Sequence, residues 1–157
     1  MKEFFGNYML ISAAIGWISA QIIKMLTAFI VKKEFDIKFL FTNGGMPSSH
    51  SATVLALCTS AGIYCGVGSP EFAICGVLAI IVMNDAFGVR LEAGKQATVI
   101  NRITKELFSG KAEFNTKLKE LIGHTPLQVF MGALLGVAVA VIYAFILKWT
   151  TGTFPVR

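Results

Sequence analysis

The sequence predicts an all-α, polytopic membrane helix bundle with about four transmembrane helices and short amphipathic helices in one long loop. Hydrophobic residues make up 55% of the chain and charged residues only 15%, whereas an average soluble domain is about a quarter charged. The mean hydropathy of +0.68 is concentrated in stretches as long as the roughly 20 apolar residues that cross a bilayer. These stretches are parted by Gly/Pro breaks and by polar segments that carry most of the basic residues. At 157 residues the chain is long enough for one domain, and 1–157 reads as a single integral-membrane unit.

The first span runs from Tyr8 to about Val31. With little basic charge before it and no small-residue cleavage pattern after it, it reads as a permanent helix and not a signal peptide. The second span runs from Ser51 to about Val67, and Gly68-Ser69-Pro70 then breaks the chain before a third run ending near Phe87. These two form a tight hairpin. The fourth span covers Leu127 to Leu147, with Gly132 and Gly136 four apart beside Ala133 and Ala140. Small residues at that spacing let transmembrane helices approach closely, so they read as packing.

The polar stretch from Gly88 to Gly123 is too long for an ordinary helix connection. Val99, Ile100, Ile103 and Leu107 form one helical stripe; Phe114, Leu118, Leu121 and Ile122 form another after a break at Ser109-Gly110. The expectation is two short amphipathic helices that lie at the membrane interface or cap the bundle.

Charge and cysteine usage narrow the function classes. A net charge of +5 is modest for a nucleic-acid binder, and the basic residues lie between spans, so no nucleic-acid partner is expected. Cys58, Cys65 and Cys75 are odd in number, sit inside apolar segments and have no metal-like spacing, so neither a disulfide framework nor a metal site is implied. Ten of the fourteen basic residues fall in the first and third loops. The positive-inside rule then places both termini outside and those loops in the cytoplasm. A phosphate site in the same loops would call for basic residues for its own reasons. Oligomeric state is not encoded in any feature of the sequence.

The chain has two histidines, and each stands where a polar loop meets an apolar helix: His50 in Asn43-Gly-Gly-Met-Pro-Ser-Ser-His50 and His124 in Gly123-His124-Thr-Pro-Leu-Gln128. With four spans, both junctions fall on the same face of the membrane. Gly44-Gly45 allows close backbone approach, and Pro47 fixes the chain leading into the helix. Ser48 or Ser49 caps a helix whose free N–H groups favour an anion. This is the local chemistry of a phosphate cradle, although an ordinary loop with a serine cap has the same residues.

These motifs resemble those of the type 2 phosphatidic acid phosphatase and vanadium-dependent haloperoxidase superfamily, and specifically its short divergent branch. The resemblance covers most of the chain. The superfamily cradle P-S-G-H is represented by Pro47-Ser48-Ser49-His50, and its H-x-x-x-D motif with a following glycine by His124-Thr-Pro-Leu-Gln128-Val-Phe-Met-Gly132. The resemblance implies phosphomonoester hydrolysis without a metal or other cofactor, through a phosphohistidine. By motif position, His124 is then the nucleophile and His50 the acid on the leaving oxygen. Fixed cations and N–H donors supply most of the help in such chemistry, and a histidine titrates close enough to neutral pH to serve in either role.

The pattern departs from the superfamily at three places. Gln128 stands where a carboxylate is expected; an amide can orient an imidazole but cannot stabilise its cation. Leu118 occupies the usual arginine position, which makes Arg90 in Asp85-Ala-Phe-Gly-Val-Arg90 the candidate cation. No intact K-x6-R-P motif exists, and Lys24 is the substitute. Lys24 lies inside the first span, about 10 Å of helix rise before Val31. An ionisable residue there is a functional candidate, although it can also snorkel. Asp85, in the last turn of the third span, either pairs with Arg90 or orients a catalytic histidine. Lys95 reads equally as a phosphate contact or as part of a solvated face.

The expected site is therefore His124, His50, Gln128 and Asp85 for catalysis, with Ser48, Ser49, Arg90, Lys24 and Lys95 on the phosphate. The expected substrate is a phosphomonoester or pyrophosphate of a lipid or isoprenoid held in the bilayer of a bacterial plasma membrane. The alternative is a non-catalytic phospholipid- or phosphate-binding membrane protein, or a small four-helix transporter.

Overall fold

The computed structural model describes residues 6–32, 45–107, 118, 120 and 123–152. Among these the chain forms five helices and no strand: α1 Tyr8–Lys32, α2 Ser49–Tyr64, α3 Pro70–Phe87, α4 Val89–Leu107 and α5 Pro126–Thr151. The windows long and apolar enough to cross a membrane lie in α1, in the α3–α4 run and in α5. The protein is an integral membrane protein.

The second expected span is shorter than its hydropathy suggests. Helix α2 has 16 residues, about 24 Å of rise, against a hydrocarbon core of about 30 Å. It stops at Cys65, whose N–H caps back onto the Ala61 carbonyl, and Gly66 then takes φ +88°. Such a positive φ costs glycine nothing and ends the helix inside an apolar run. Helix α2 is also the most enclosed element, packed against α1, α3 and α5. Its Ala52, Ala56, Ser60 and Ala61 are fully buried, while α1, α3 and α5 present exposed Ile, Leu, Val and Phe to the surroundings. Three helices thus face lipid around a fourth, shorter one.

Small residues set the spacing. A Cβ on Gly132 would overlap the carbonyl oxygen of Ser48, and one on Gly136 would overlap that of Ala52. The stripe continues through buried Ala140 and Ala144. Both contact positions advance together along the chain, so α5 runs parallel to α2. Helix α1 runs antiparallel to it: Tyr8 meets Tyr64 with ring centroids 5.7 Å apart, and a Cβ on Gly16 would come within 2.9 Å of the Ala56 Cβ. Without a hydrophobic force between helices in lipid, close backbone approach of this kind is what holds a bundle together.

The turn from α2 to α3 is closed by Ser69, whose hydroxyl donates to the Gly66 carbonyl at 2.7 Å and accepts from the Phe72 N–H at 3.1 Å. Pro70 follows in the first turn of α3, where its missing N–H is no loss. At the other end Gly88 separates α3 from α4, its N–H bonded to the Asn84 carbonyl at 2.8 Å. Helix α4 is the first of the two expected amphipathic helices, with Val99, Ile100, Ile103 and Leu107 exposed as a stripe. The second expected one lies outside the described residues except for Leu118. The Leu118 backbone N–H and carbonyl are both held by the Asn101 side chain at 2.9 Å, which ties the returning chain to α4.

Candidate active site

The N-termini of the parallel helices α2 and α5 lie at the same end of the bundle, where backbone bonds tie the His124 segment to the start of α2 and to the end of α3. The Ser48 N–H donates to the Gln128 carbonyl at 3.0 Å, and the His124 N–H donates to the Ala86 carbonyl at 3.0 Å. Gly123 lies against the backbone of Arg90 and Leu91, closer than any side chain would permit. The start of α4 is thereby fixed beside the segment that carries His124.

The two imidazoles meet edge to face, with ring centroids 6.3 Å apart and an interplanar angle of 60°. His124 is 2% exposed. Its Nδ1 lies 3.3 Å from Gln128 Oε1, and its Nε2 is buried with no hydrogen-bond partner among the described residues. Burial holds the His124 pKa below the ordinary imidazole value; the charges of Lys24, His50 and Arg90 push it the same way, and the hydrogen bond to Gln128 opposes them. His50 is half-buried in the first turn of α2, where the charges of Arg90, Lys24 and Asp85 all reach it.

Ser48 is fully buried and caps α2: its Oγ accepts from the Ser51 N–H at 3.4 Å and from the Ser51 hydroxyl at 3.0 Å. Ser49, also buried, opens the helix. The first N–H groups of a helix have no intrahelical partner, so those of Ser49 and His50 are available to an anion.

Lys24 is 3% exposed. Its aliphatic stem lies under Gly45, where an added Cβ would come within 3.2 Å of Lys24 Cγ and where φ is +101°. The Thr27 hydroxyl, bonded to the Lys24 carbonyl at 2.9 Å, also reaches the Met46 carbonyl at 3.2 Å. Helix α1 is thus fastened to the cradle, and Lys24 is buried in the bundle, with its charge felt by both histidines.

For Asp85 and Lys95 the structure shows the ion-pair and solvated-face alternatives. The Asp85 carboxylate pairs with Arg90 Nε at 2.5 Å, and no hydrogen bond joins it to a histidine among the described residues. Gln128 makes that contact to His124 instead, because it stands one turn along the same helix start, whereas Asp85 and Arg90 bracket the break at Gly88. Lys95 lies apart on the exposed face of α4, bonded to Glu92 at 2.7 Å. Its one-turn spacing from Glu92 makes that partner the nearer one.

One contributor was not anticipated from the sequence. Thr125 and Gln128 form a reciprocal capping box: the Gln128 N–H donates to Thr125 Oγ1 at 3.4 Å and the Thr125 N–H to Gln128 Oε1 at 3.0 Å. The run Thr125-x-x-Gln128 carries the signature of such a box. Among the described residues there is no group of three or more His, Cys, Asp or Glu side chains that could hold a metal ion.

Residues 5–139 match the family described as "Divergent PAP2 family". The chain belongs to that family. It is also 41% identical over 154 residues to the "Uncharacterized membrane protein YuiD" of Bacillus subtilis (strain 168), covering 91% of this chain and 98% of that one. No solved structure matches. Membership of the divergent PAP2 family agrees with the resemblance carried by the two histidine motifs, and both motifs fall inside the matched residues.

Proposed function

We propose that this divergent PAP2 protein is a membrane phosphatase that hydrolyses a phosphomonoester or pyrophosphate of a lipid or isoprenoid through a phosphohistidine, without a bound metal. The observation that carries the reading is the buried Nε2 of His124, without a hydrogen-bond partner among the described residues, beside His50 at the end of the bundle where Lys24, Arg90 and the α2 N-terminus supply positive charge. In this reading His124 Nε2 attacks phosphorus and the bond to the lipid oxygen breaks. His50 gives its proton to that leaving oxygen. His50, now neutral, takes a proton from water as the water oxygen attacks phosphorus; the P–N bond breaks, and inorganic phosphate leaves with His124 restored. Lys24, Arg90 and the N–H groups of Ser49 and His50 hold the equatorial oxygens as their charge grows. Lipid-facing helices around the site support a substrate whose tail stays in the bilayer. Motif-bearing loops on the cytoplasmic side of a bacterial plasma membrane belong to the same proposal and rest on the distribution of basic residues.

The neutral Gln128 favours a second reading, in which the same cradle binds a phosphate headgroup without cleaving it. Purified protein assayed for phosphate release from a panel of phosphatidate, phosphatidylglycerophosphate and polyprenyl phosphates, with chelator present, separates the two. Release that vanadate inhibits supports the phosphatase. Saturable binding with no release from any of them supports the binder.

A further inference from the structure

We infer that the backbone N–H of Thr125 sets the tautomer of His124, acting through the Gln128 amide. The inference deepens the phosphatase reading, which requires a lone pair on Nε2, but it rests on geometry alone. A backbone N–H can only donate, so the Gln128 atom that faces Thr125 N at 3.0 Å is the amide oxygen. That same Oε1 lies 3.3 Å from His124 Nδ1. An oxygen carrying no hydrogen can only accept, so in the neutral ring Nδ1 holds the proton. Nε2, buried and without a partner among the described residues, is left with the lone pair. The Thr125 hydroxyl closes the box from the other side through the Gln128 N–H, and Ala86 fixes the His124 backbone. Thr125 is thus a positioning residue. It does for an amide what a carboxylate at position 128 would do unaided, because a carboxylate has no donor end to turn toward the ring.

The residue can be tested because its backbone suits proline: φ −70° and ψ 154° are values that proline adopts, also ahead of another proline. Thr125→Pro removes the N–H, and Thr125→Val removes only the hydroxyl. The experiment is ¹⁵N NMR of histidine-labelled full-length protein in micelles, above the imidazole titration, with His50→Asn used to assign the two rings. The expected wild-type spectrum has a protonated Nδ1 and an unprotonated Nε2 for His124. Thr125→Val keeps that pattern, and Thr125→Pro shifts the ring to a mixture containing the Nε2–H form. A wild-type ring protonated at Nε2 overturns the inference, as does a Thr125→Pro spectrum identical to wild type. Gln128→Met, which removes the acceptor, is the parallel variant if Thr125→Pro does not fold: a mixture is expected, and an unchanged ring overturns. The spectrum is read without substrate. An inert protein with the expected tautomer therefore sinks the phosphatase reading alone. If turnover is present, kcat of Thr125→Pro falls about 10- to 100-fold with KM little changed.

Discussion

Gly132 lies directly under the carbonyl oxygen of Ser48, so close that the hydrogen of glycine is the largest substituent the contact admits. The residue that caps α2 and the residue one turn past Gln128 on α5 are thereby locked together, and the segments that carry His50 and His124 share one foundation. Gly132→Ala is expected to cost about 1–3 kcal/mol, because the obstacle is backbone and cannot rotate away. A reduced midpoint in thermal unfolding in detergent, larger than for Gly76→Ala where nothing lies within 4 Å, checks it.

The proposed division of labour between the histidines predicts unequal losses. His124→Ala removes the nucleophile and brings turnover to background, while His50→Ala, which removes only the proton donor, loses about 10²- to 10⁴-fold. The His50→Ala loss should shrink for substrates with good leaving groups. Trapping of a ³²P-labelled covalent enzyme in wild type but not in His124→Ala is the companion measurement; equal residual activity in both variants contradicts the assignment.

The depressed pKa of His124 fixes a sign in the pH profile. In the proposed mechanism His124 attacks when neutral, so activity should persist on the acid side of the ordinary imidazole value of about 6.5 and fall as His124 gains its proton below it. Lys24→Met removes a positive charge that disfavours the imidazolium. The acid limb of kcat/KM should then move to higher pH as the rate falls. An unmoved limb would place Lys24 outside the site.

Gln128→Glu should preserve or raise kcat, since a carboxylate both orients His124 and stabilises its cation, and Gln128→Ala should lower it. Asp85→Asn leaves Arg90 without its partner. The pair is more than a third exposed, so the expected loss is chiefly in substrate affinity, with stability changed by less than about 1 kcal/mol. A collapse of kcat in Asp85→Asn, rescued by adding Gln128→Glu, would instead make Asp85 a source of charge for the histidine.

Orientation is open to direct labelling. In a Cys65→Ser background, Lys105→Cys on α4 should be shielded from an impermeant thiol reagent in intact cells, and Thr151→Cys at the end of α5 should react. The reverse pattern overturns the cytoplasmic placement of the motif loops.

Much of this arrangement was legible in the sequence because it follows from periodicity and from topology. The glycine stripe at 132 and 136 could be read as a close helix contact, and an even number of spans between two histidines puts them on one face. Lys24 was marked by its cost in an apolar segment. The length of α2 was not legible: Cys65 and Gly66 are apolar enough to continue a span, and only the backbone of Gly66 reveals the stop. Nor was the choice between Asp85 and Gln128 as the histidine's partner, which depends on how Gly88 turns the chain. The Thr125-x-x-Gln128 box was written in the sequence, but the interest of Gln128 as a missing carboxylate obscures its role as a cap.

The parallel course of α2 and α5 concentrates positive potential at one end of the bundle. Neighbouring helices usually run antiparallel and cancel one another's macrodipoles, whereas these two present their positive ends side by side, next to a buried lysine and in surroundings that screen poorly. An anion settled between them relieves that repulsion. Phosphate or vanadate should therefore raise the unfolding temperature as its concentration passes its dissociation constant, by the linkage that stabilises any protein whose native state alone binds. Chloride at equal ionic strength should do much less. Anion binding would then firm the end of the bundle that carries the two histidines.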